Sequence, residues 1–404
     1  MKFNLNKFLF SVSYALDFVE MDILGVSTNH SKRVAYMSAV IGKALNLTEE
    51  EVFDLVSLSI LHDNGASQNL LDENLNLVDS KTIHRYYLES RKNHCIIGEK
   101  NLKAYPFLTD VTGVIKYHHE TYSGTGFFGL RNNEIPLMSQ IIHFGDTLEN
   151  SFNLKKSSTK DIEKIYKFIS LNKGILFSPI IVDTFLDVSK NISFWLNMRD
   201  EFIDYALHEY VPKRTVDLTW KEIKQITDVF SNIIDSKSKF TLRHSRGLTE
   251  KVSIMADYYG KNSDEKMKLM IAADLHDLGK LAVNTSILDK PGKLTREEFE
   301  IIQKHPYYTR ITLRQIEGFR EITEWASNHH EKLNGSGYPY GLTEKELDFN
   351  SRLMACLDVY QALTEDRPYR EKLTHNEGIK ILKSMAKDNL LDGYIVEDID
   401  KVMK

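Results

Sequence analysis

The chain writes one pattern of histidines and aspartates twice. "STNHSKRV" around His30 recurs as "TLRHSRGL" around His244, 214 residues later, and "LHDNG" (His62, Asp63) recurs as "LHDLG" (His276, Asp277) at the same offset. His94 and His305 are 211 residues apart, as are the doublets His118-His119 and His329-His330, and Asp146 and Asp358 are 212 apart. Ten of the 14 histidines fall on this pattern. A repeat of this length points to two copies of one structural unit rather than one continuous core. The copies run over 1–212 and 213–404, meeting near "YVPKRT", where Pro212 and a basic pair interrupt the periodic pattern. The first copy has a further helix-like extension at about 150–212, with stretches such as "DIEKIYKFISL" and "PIIVDTFLDV".

Apolar residues recur at three- and four-residue spacing in "ITDVFSNIIDSKSKF", "MKLMIAADLHDLGK" and "SRLMACLDVYQALTE", whereas alternating patterns are scarce. The expected fold class is all-α, two tandem helical bundles related by the internal repeat. A net charge of -5 gives no global electrostatic reason to bind DNA or an anionic membrane. A small anionic ligand needs local positive charge instead. No uninterrupted apolar run approaches the roughly 18 residues of a membrane span. Residues 8–16, "FLFSVSYAL", resemble a short signal core, but Asp17, Glu20 and Asp22 follow at once and no small-residue cleavage site is clear. The two cysteines, Cys95 and Cys356, each sit among mostly apolar neighbours, which argues against a disulfide framework and for a reducing cytoplasm.

In "HHEKLNGSGYP", 329–339, two imidazoles stand side by side ahead of glycines and a proline. Adjacent helical residues point about 100° apart, so a shared role needs a helix end, which the glycines and Pro339 supply. Alone, the stretch reads equally as a polar turn or a ligand pair. A single buried histidine is more often a hydrogen-bonded core residue than a ligand. Matching His and Asp positions in two halves, on or beside apolar helices, favour side chains converging on a metal centre inside a bundle. Asp358 within "LMACLDVYQAL" would pay heavily for burial without a cation.

The motifs "FTLRHS", "HDLGK", "KHPYY", "HHEKLNGSGYP" and "LDVYQALTEDRPYR" resemble, in order, those of the HD-GYP domain, a branch of the HD metal-dependent phosphohydrolases that hydrolyse cyclic dinucleotides; the similarity covers about 222–385. The resemblance implies that His244, His276, Asp277 and Asp358 hold one metal. Asp277 would bridge to a second metal held by His305, His329 and His330. Iron or manganese suits this donor set, and nickel or zinc is also compatible. Phe240 stands where some members place a glutamate for a third metal, so a dinuclear site is expected. Catalysis would rest on Asp277 and Lys280. Lys280 would contact the phosphate or assist the leaving oxygen, the alternative being a solvated lysine. Arg367 and Arg370 would grip the second phosphate and the guanine side, and Tyr338 would line the base pocket. Glu331 fits orientation of a ligand or loop better than metal contact. Asn334 departs from an aspartate common in the family, in a turn where either side chain works.

In the first copy, His30, His62, Asp63, His94, His118, His119 and Asp146 keep the ligand positions of a second metal site. The substrate residues differ: "HDLGK" becomes "HDNGA" with Ala66 for the lysine, "GSGYP" becomes "GTGFF", and "TEDRPYR" gives way to "ENSFNLKK". Lys155 and Lys156 lack the planar fork of arginine. The expectation is a metal-loaded, weak or inactive unit that stabilises or regulates the other, with a second active site of shifted specificity as the alternative. The expected substrate is cyclic di-GMP, with mixed cyclic GMP-AMP or non-catalytic sensing of a cyclic dinucleotide as alternatives. Homo-oligomerisation stays open.

Overall fold

The computed structural model describes residues 1–13, 28–66, 92–238, 244–290, 292–365 and 371–404. Its elements are helices joined by turns; among the described residues, strand is confined to the short pieces Lys2–Phe3 and Val216–Asp217. No helix among them is long and apolar enough to cross a membrane. The chain divides into two compact units, Asn4–Val216 and Asp217–Lys404, the second including Met1–Phe3. Residues 1–3 join that unit through Leu218 N–H donating to the Met1 carbonyl at 2.9 Å and Phe3 packing on Phe319, ring centroids 6.5 Å apart.

In the C-terminal unit the helix His244–Tyr258 packs on Ser263–Leu275 and Phe349–Thr364, and Ser263–Leu275 packs in turn on Trp220–Ser236 and Arg320–Ser327. Each contributes an apolar stripe: Trp220–Ser236 buries Ile223, Ile226, Phe230, Ile233 and Ile234 at helical spacing. In the N-terminal unit His30–Ala44 packs on Glu49–Ile60 and Leu137–Ser151. The predicted extension is helical where it forms Thr159–Leu171, Pro179–Val188, Ile192–Asn197 and Ile203–Tyr210. The Pro179 and Ile203 helices lie against His30–Ala44.

The repeat extends to helix starts. Thr48 caps the Glu49 helix in a reciprocal box, its hydroxyl accepting from Glu51 N–H at 3.2 Å while Thr48 N–H donates to the Glu51 carboxylate at 2.8 Å. In the equivalent place Asn262 Oδ1 accepts from Glu265 N–H at 2.9 Å. These caps fix where the helices that end in His62-Asp63 and His276-Asp277 begin, and so where those pairs emerge.

Candidate metal centres

Seven side chains from five places along the C-terminal unit meet in its interior. His244 opens its helix, His276 and Asp277 leave the end of Ser263–Leu275, His305 opens His305–Leu313, His329 and His330 follow Arg320–Ser327, and Asp358 lies in Phe349–Thr364. His244 Nε2 is 2.9 Å from Asp358 Oδ1. His276 Nε2 is 3.2 Å from Asp277 Oδ2 and 3.9 Å from Asp358 Oδ1. His305 and His329 place Nε2 at 3.2 and 3.7 Å from Asp277 Oδ1. Donor atoms group as His244, His276 and Asp358; His276, Asp277 and His329; and His305, His329 and His330, each set within 4.8 Å. Asp277 thus lies between the two outer sets.

The backbone orients the rings. Nδ1 of His276, His305 and His329 lies 2.7, 2.8 and 2.7 Å from the carbonyl oxygen three residues earlier, on Ala273, Ile302 and Ala326. A carbonyl only accepts, so Nδ1 carries the proton and Nε2 turns its lone pair inward. His244 is the first residue of its helix, and its Nδ1 faces the Glu365 carboxylate at 3.1 Å instead. Close approach of the elements relies on glycine: a Cβ on Gly279 would fall 2.0 Å from the His305 carbonyl oxygen. Thr309 ties the same junction, accepting from Gly279 N–H at 2.9 Å and donating to the His276 carbonyl at 3.0 Å.

These residues fit divalent cations. His305 Nε2 and His329 Nε2 lie 3.2 Å apart, and with both Nδ1 protons committed to carbonyls two lone pairs face each other across that gap. His276 Nε2 and Asp277 Oδ1 are buried without a hydrogen-bond partner among the described residues. A buried unsatisfied acceptor costs about 1–3 kcal/mol, and a cation satisfies all of them at once. Burial disfavours charge on Asp277 and Asp358, yet the surrounding imidazoles, with Lys280 at Asp277, hold both carboxyls well below the usual range. Burial presses His329 down to about 3, keeping its ring neutral. Burial opposes the charged form of His244 too, but Asp358 and Glu365 carry it up to about 10.

Around this centre, Lys280 Nζ is 2.6 Å from Asp277 Oδ2 and reaches solvent. The Tyr338 ring lies 4.8 Å from that of His330. It borders a cavity of about 460 Å³ lined by Gln303, Lys304, Tyr307, Tyr308, Tyr338 and Pro339. Glu331 accepts from Tyr340 and Leu342 N–H at 2.8 and 2.9 Å, closing the loop that carries Tyr338. Asn334 accepts from Ser336 N–H at 3.0 Å within that loop. Arg367 and Arg370, and Phe240, lie outside the described residues.

The N-terminal unit repeats the arrangement. His30 and His62 place Nε2 at 3.3 and 3.6 Å from Asp146 Oδ1, His94 and His118 at 3.3 and 3.7 Å from Asp63 Oδ1, and His119 Nδ1 lies 3.8 Å from Asp146 Oδ2. Nδ1 of His62 and His118 again meets a carbonyl three residues back, at 2.8 and 2.6 Å. Glu120 accepts from Phe128 and Leu130 N–H, both at 2.8 Å, as Glu331 does in its own loop. Ala66 is buried where Lys280 stands in the other unit. Lys155 and Lys156 lie in the short turn Leu154–Lys156.

Two contacts escaped the sequence reading. Glu365 sits in the quoted "TEDRPYR", but attention to its arginines passed over the carboxylate beside His244. Cys95, expected among apolar neighbours, lies with Sγ 3.5 Å from His94 Nε2. Neither Cys95 nor Cys356 is in a disulfide.

A family model described as "HD domain" matches residues 20–173 and 228–395. The 3'3'-cGAMP-specific phosphodiesterase 1 of Vibrio cholerae serotype O1 is 30% identical over 403 residues, 98% of this chain and 91% of that protein. A cyclic di-GMP phosphodiesterase of Pseudomonas aeruginosa is 34% identical over 173 residues, 37% of this chain and 41% of that protein. Among solved structures, a cyclic GMP-AMP-specific phosphodiesterase of V. cholerae superposes with a TM-score of 0.69 over 100% of this chain and 98% of its own at 22% identity, a likeness of fold.

Proposed function

Because the chain belongs to the HD domain family, as a tandem pair of the HD-GYP type, we propose that it is a metal-dependent cyclic dinucleotide phosphodiesterase whose C-terminal centre opens 3'3'-cyclic GMP-AMP. The observation carrying this reading is the extent of the likeness. Two relatives named for cyclic GMP-AMP match 98% and 94% of the chain, both units included, while relatives named for cyclic di-GMP match 31% to 45%. The resemblance to the HD-GYP family favoured cyclic di-GMP and kept the mixed dinucleotide second; the relatives that match both units favour the opposite order.

His244, His276, Asp277 and Asp358 would hold one divalent ion and Asp277, His305, His329 and His330 the other, with iron or manganese best suited to nitrogen and carboxylate donors. Two such ions supply Lewis acidity toward a phosphodiester and a hydroxide nucleophile at neutral pH. The protein's own part is placement. Asp277, fixed by three imidazoles and Lys280, keeps the donor sets in register. Lys280 offers a cation, partly open to solvent, at the edge of the centre, where phosphoryl charge would grow. Tyr338, tilted against His330 and held in the loop that Glu331 closes, with Tyr307 and Tyr308 along the same cavity, suits the face of a purine. Arg367 and Arg370 follow Glu365 in sequence, and we assign them the second phosphate. The N-terminal unit, with a full ligand set and no Lys280 equivalent, would hold metal without efficient turnover.

The test is product chromatography with purified full-length protein, loaded anaerobically with iron or manganese, on cyclic GMP-AMP, cyclic di-GMP and cyclic di-AMP at equal concentrations. The expected result is linear dinucleotide from cyclic GMP-AMP at the highest kcat/KM. Faster cleavage of cyclic di-GMP overturns the substrate assignment. No cleavage of any of the three by metal-loaded protein overturns the hydrolase reading and favours a sensor.

A further inference from the structure

The two units differ in the residue that follows one of the ligands. The residue after His305 is Pro306, which offers no donor, whereas the residue after His94 is Cys95. Cys95 is fully buried, and its Sγ, with one ring nitrogen each from His94, His118 and His119, forms a group whose four donor atoms all lie within 4.8 Å of one another. His118 fixes its contribution, since Nδ1 meets the Ile115 carbonyl at 2.6 Å and the buried Nε2 makes no hydrogen bond among the described residues. A tetrahedral ion bound at about 2.3 Å to sulfur and about 2.0–2.1 Å to nitrogen sets a nitrogen-to-sulfur edge of about 3.6 Å. Cys95 Sγ and His94 Nε2 are 3.5 Å apart.

We propose that the N-terminal unit holds a thiophilic ion of the zinc class through His94, Cys95, His118 and His119, a thiolate-completed site with no counterpart in the C-terminal unit. The thiol proton passes to solvent as the sulfur–metal bond forms, and no change of oxidation state is involved. Thiolate is a softer and more strongly donating ligand than imidazole or carboxylate, so it shifts the preference from iron or manganese toward zinc. It also lowers the Lewis acidity that a hydrolytic centre needs, in agreement with Ala66 in place of the lysine. The two units would therefore carry different metals in one chain. The thiolate site is built by N-terminal side chains alone, whichever nucleotide, if any, the C-terminal centre cleaves.

Cobalt(II) reads this directly, because a cobalt–thiolate bond gives an intense near-ultraviolet charge-transfer band that histidine and carboxylate ligands do not. The full chain, stripped and reloaded with cobalt under anaerobic conditions, is expected to show that band. The band should survive Cys356→Ser and the His276→Ala, Asp277→Ala pair, and vanish in Cys95→Ser. Cys356 is the internal control, since its buried Sγ packs against the Asp392 carbonyl, 4.0 Å away. Zinc retained by the native chain against a competing chelator should fall by about one equivalent in Cys95→Ser. Folded, cobalt-loaded native protein without the band overturns the proposal, whatever the variants do. So does a band that survives Cys95→Ser, or one that is lost only in Cys356→Ser.

Discussion

Lys280 and Arg33 are cations with no cationic counterpart in the other copy, where Ala66 and Gly247 stand. Lys280 sits with its Nζ 2.6 Å from Asp277 and its side chain about a fifth exposed, where a substrate phosphate could exchange for part of that contact. Replacing it with methionine removes the charge and keeps the stem. We expect kcat to fall by about 10²-fold with metal content unchanged, the loss typical of one oriented donor to a charged transition state. Kinetics with parallel metal analysis checks this, and a Lys280→Met protein that has lost its metal would make the lysine a structural group. Arg33 is fully buried, donating to Glu149 at 2.7 Å and Asp200 at 2.8 Å. Gly247 and Gln361 stand in place of Arg33 and Glu149 in the C-terminal copy. Arg33→Met should destabilise the N-terminal unit by about 3–5 kcal/mol by stranding the Glu149 charge. An Arg33→Met, Glu149→Met double variant should recover most of that loss in chemical denaturation. Residues that recur in both copies were legible in the sequence because repetition marked them. Cys95 and Glu365 were not, because neither is repeated and each acquires its role from a histidine brought to it by the fold.

Among the elements, the turns after the helices carry the site more than the helices do. Periodicity and caps made the helices readable, but no spacing or motif marked Thr309 as the residue that would stitch the turn at Gly279 to the helix that His305 opens. That contact depends on two segments arriving at the same place. The turn tolerates no side chain at Gly279, since a Cβ there would lie 2.0 Å from the His305 carbonyl and the obstacle is backbone. Gly279→Ala should therefore push His305 away from Asp277 and empty the second donor set, with about one metal equivalent lost and activity falling with it. Gly65→Ala, whose Cβ would lie 2.3 Å from the His94 carbonyl, should displace metal from the N-terminal unit alone. Metal analysis of the two variants separates the units, and full metal content in Gly279→Ala would show that the turn can shift without cost to the ligands.

On the scale of the whole molecule, two copies of one bundle keep their ligands while only one keeps its lysine. Alanine at both His276 and Asp277 should abolish hydrolysis, whereas alanine at both His62 and Asp63 should leave a substantial remainder; loss of activity in the second variant alone would reverse the division of labour. The bundles and their repeat could be read from spacing, because each ligand has a fixed address on a helix end. Five of the ligand rings in the two copies, His62, His118, His276, His305 and His329, are tethered at Nδ1 by a carbonyl one turn earlier. Each tether belongs to the polypeptide and exists whether or not an ion is present. The tautomer is thus chosen at folding, and loading becomes the filling of a seat already carved. Swapping one ion for another should then leave the amide NMR spectrum nearly unmoved beyond the liganding turns, and the donor atoms each seat presents, rather than any rebuilding of the protein, would decide what sits there.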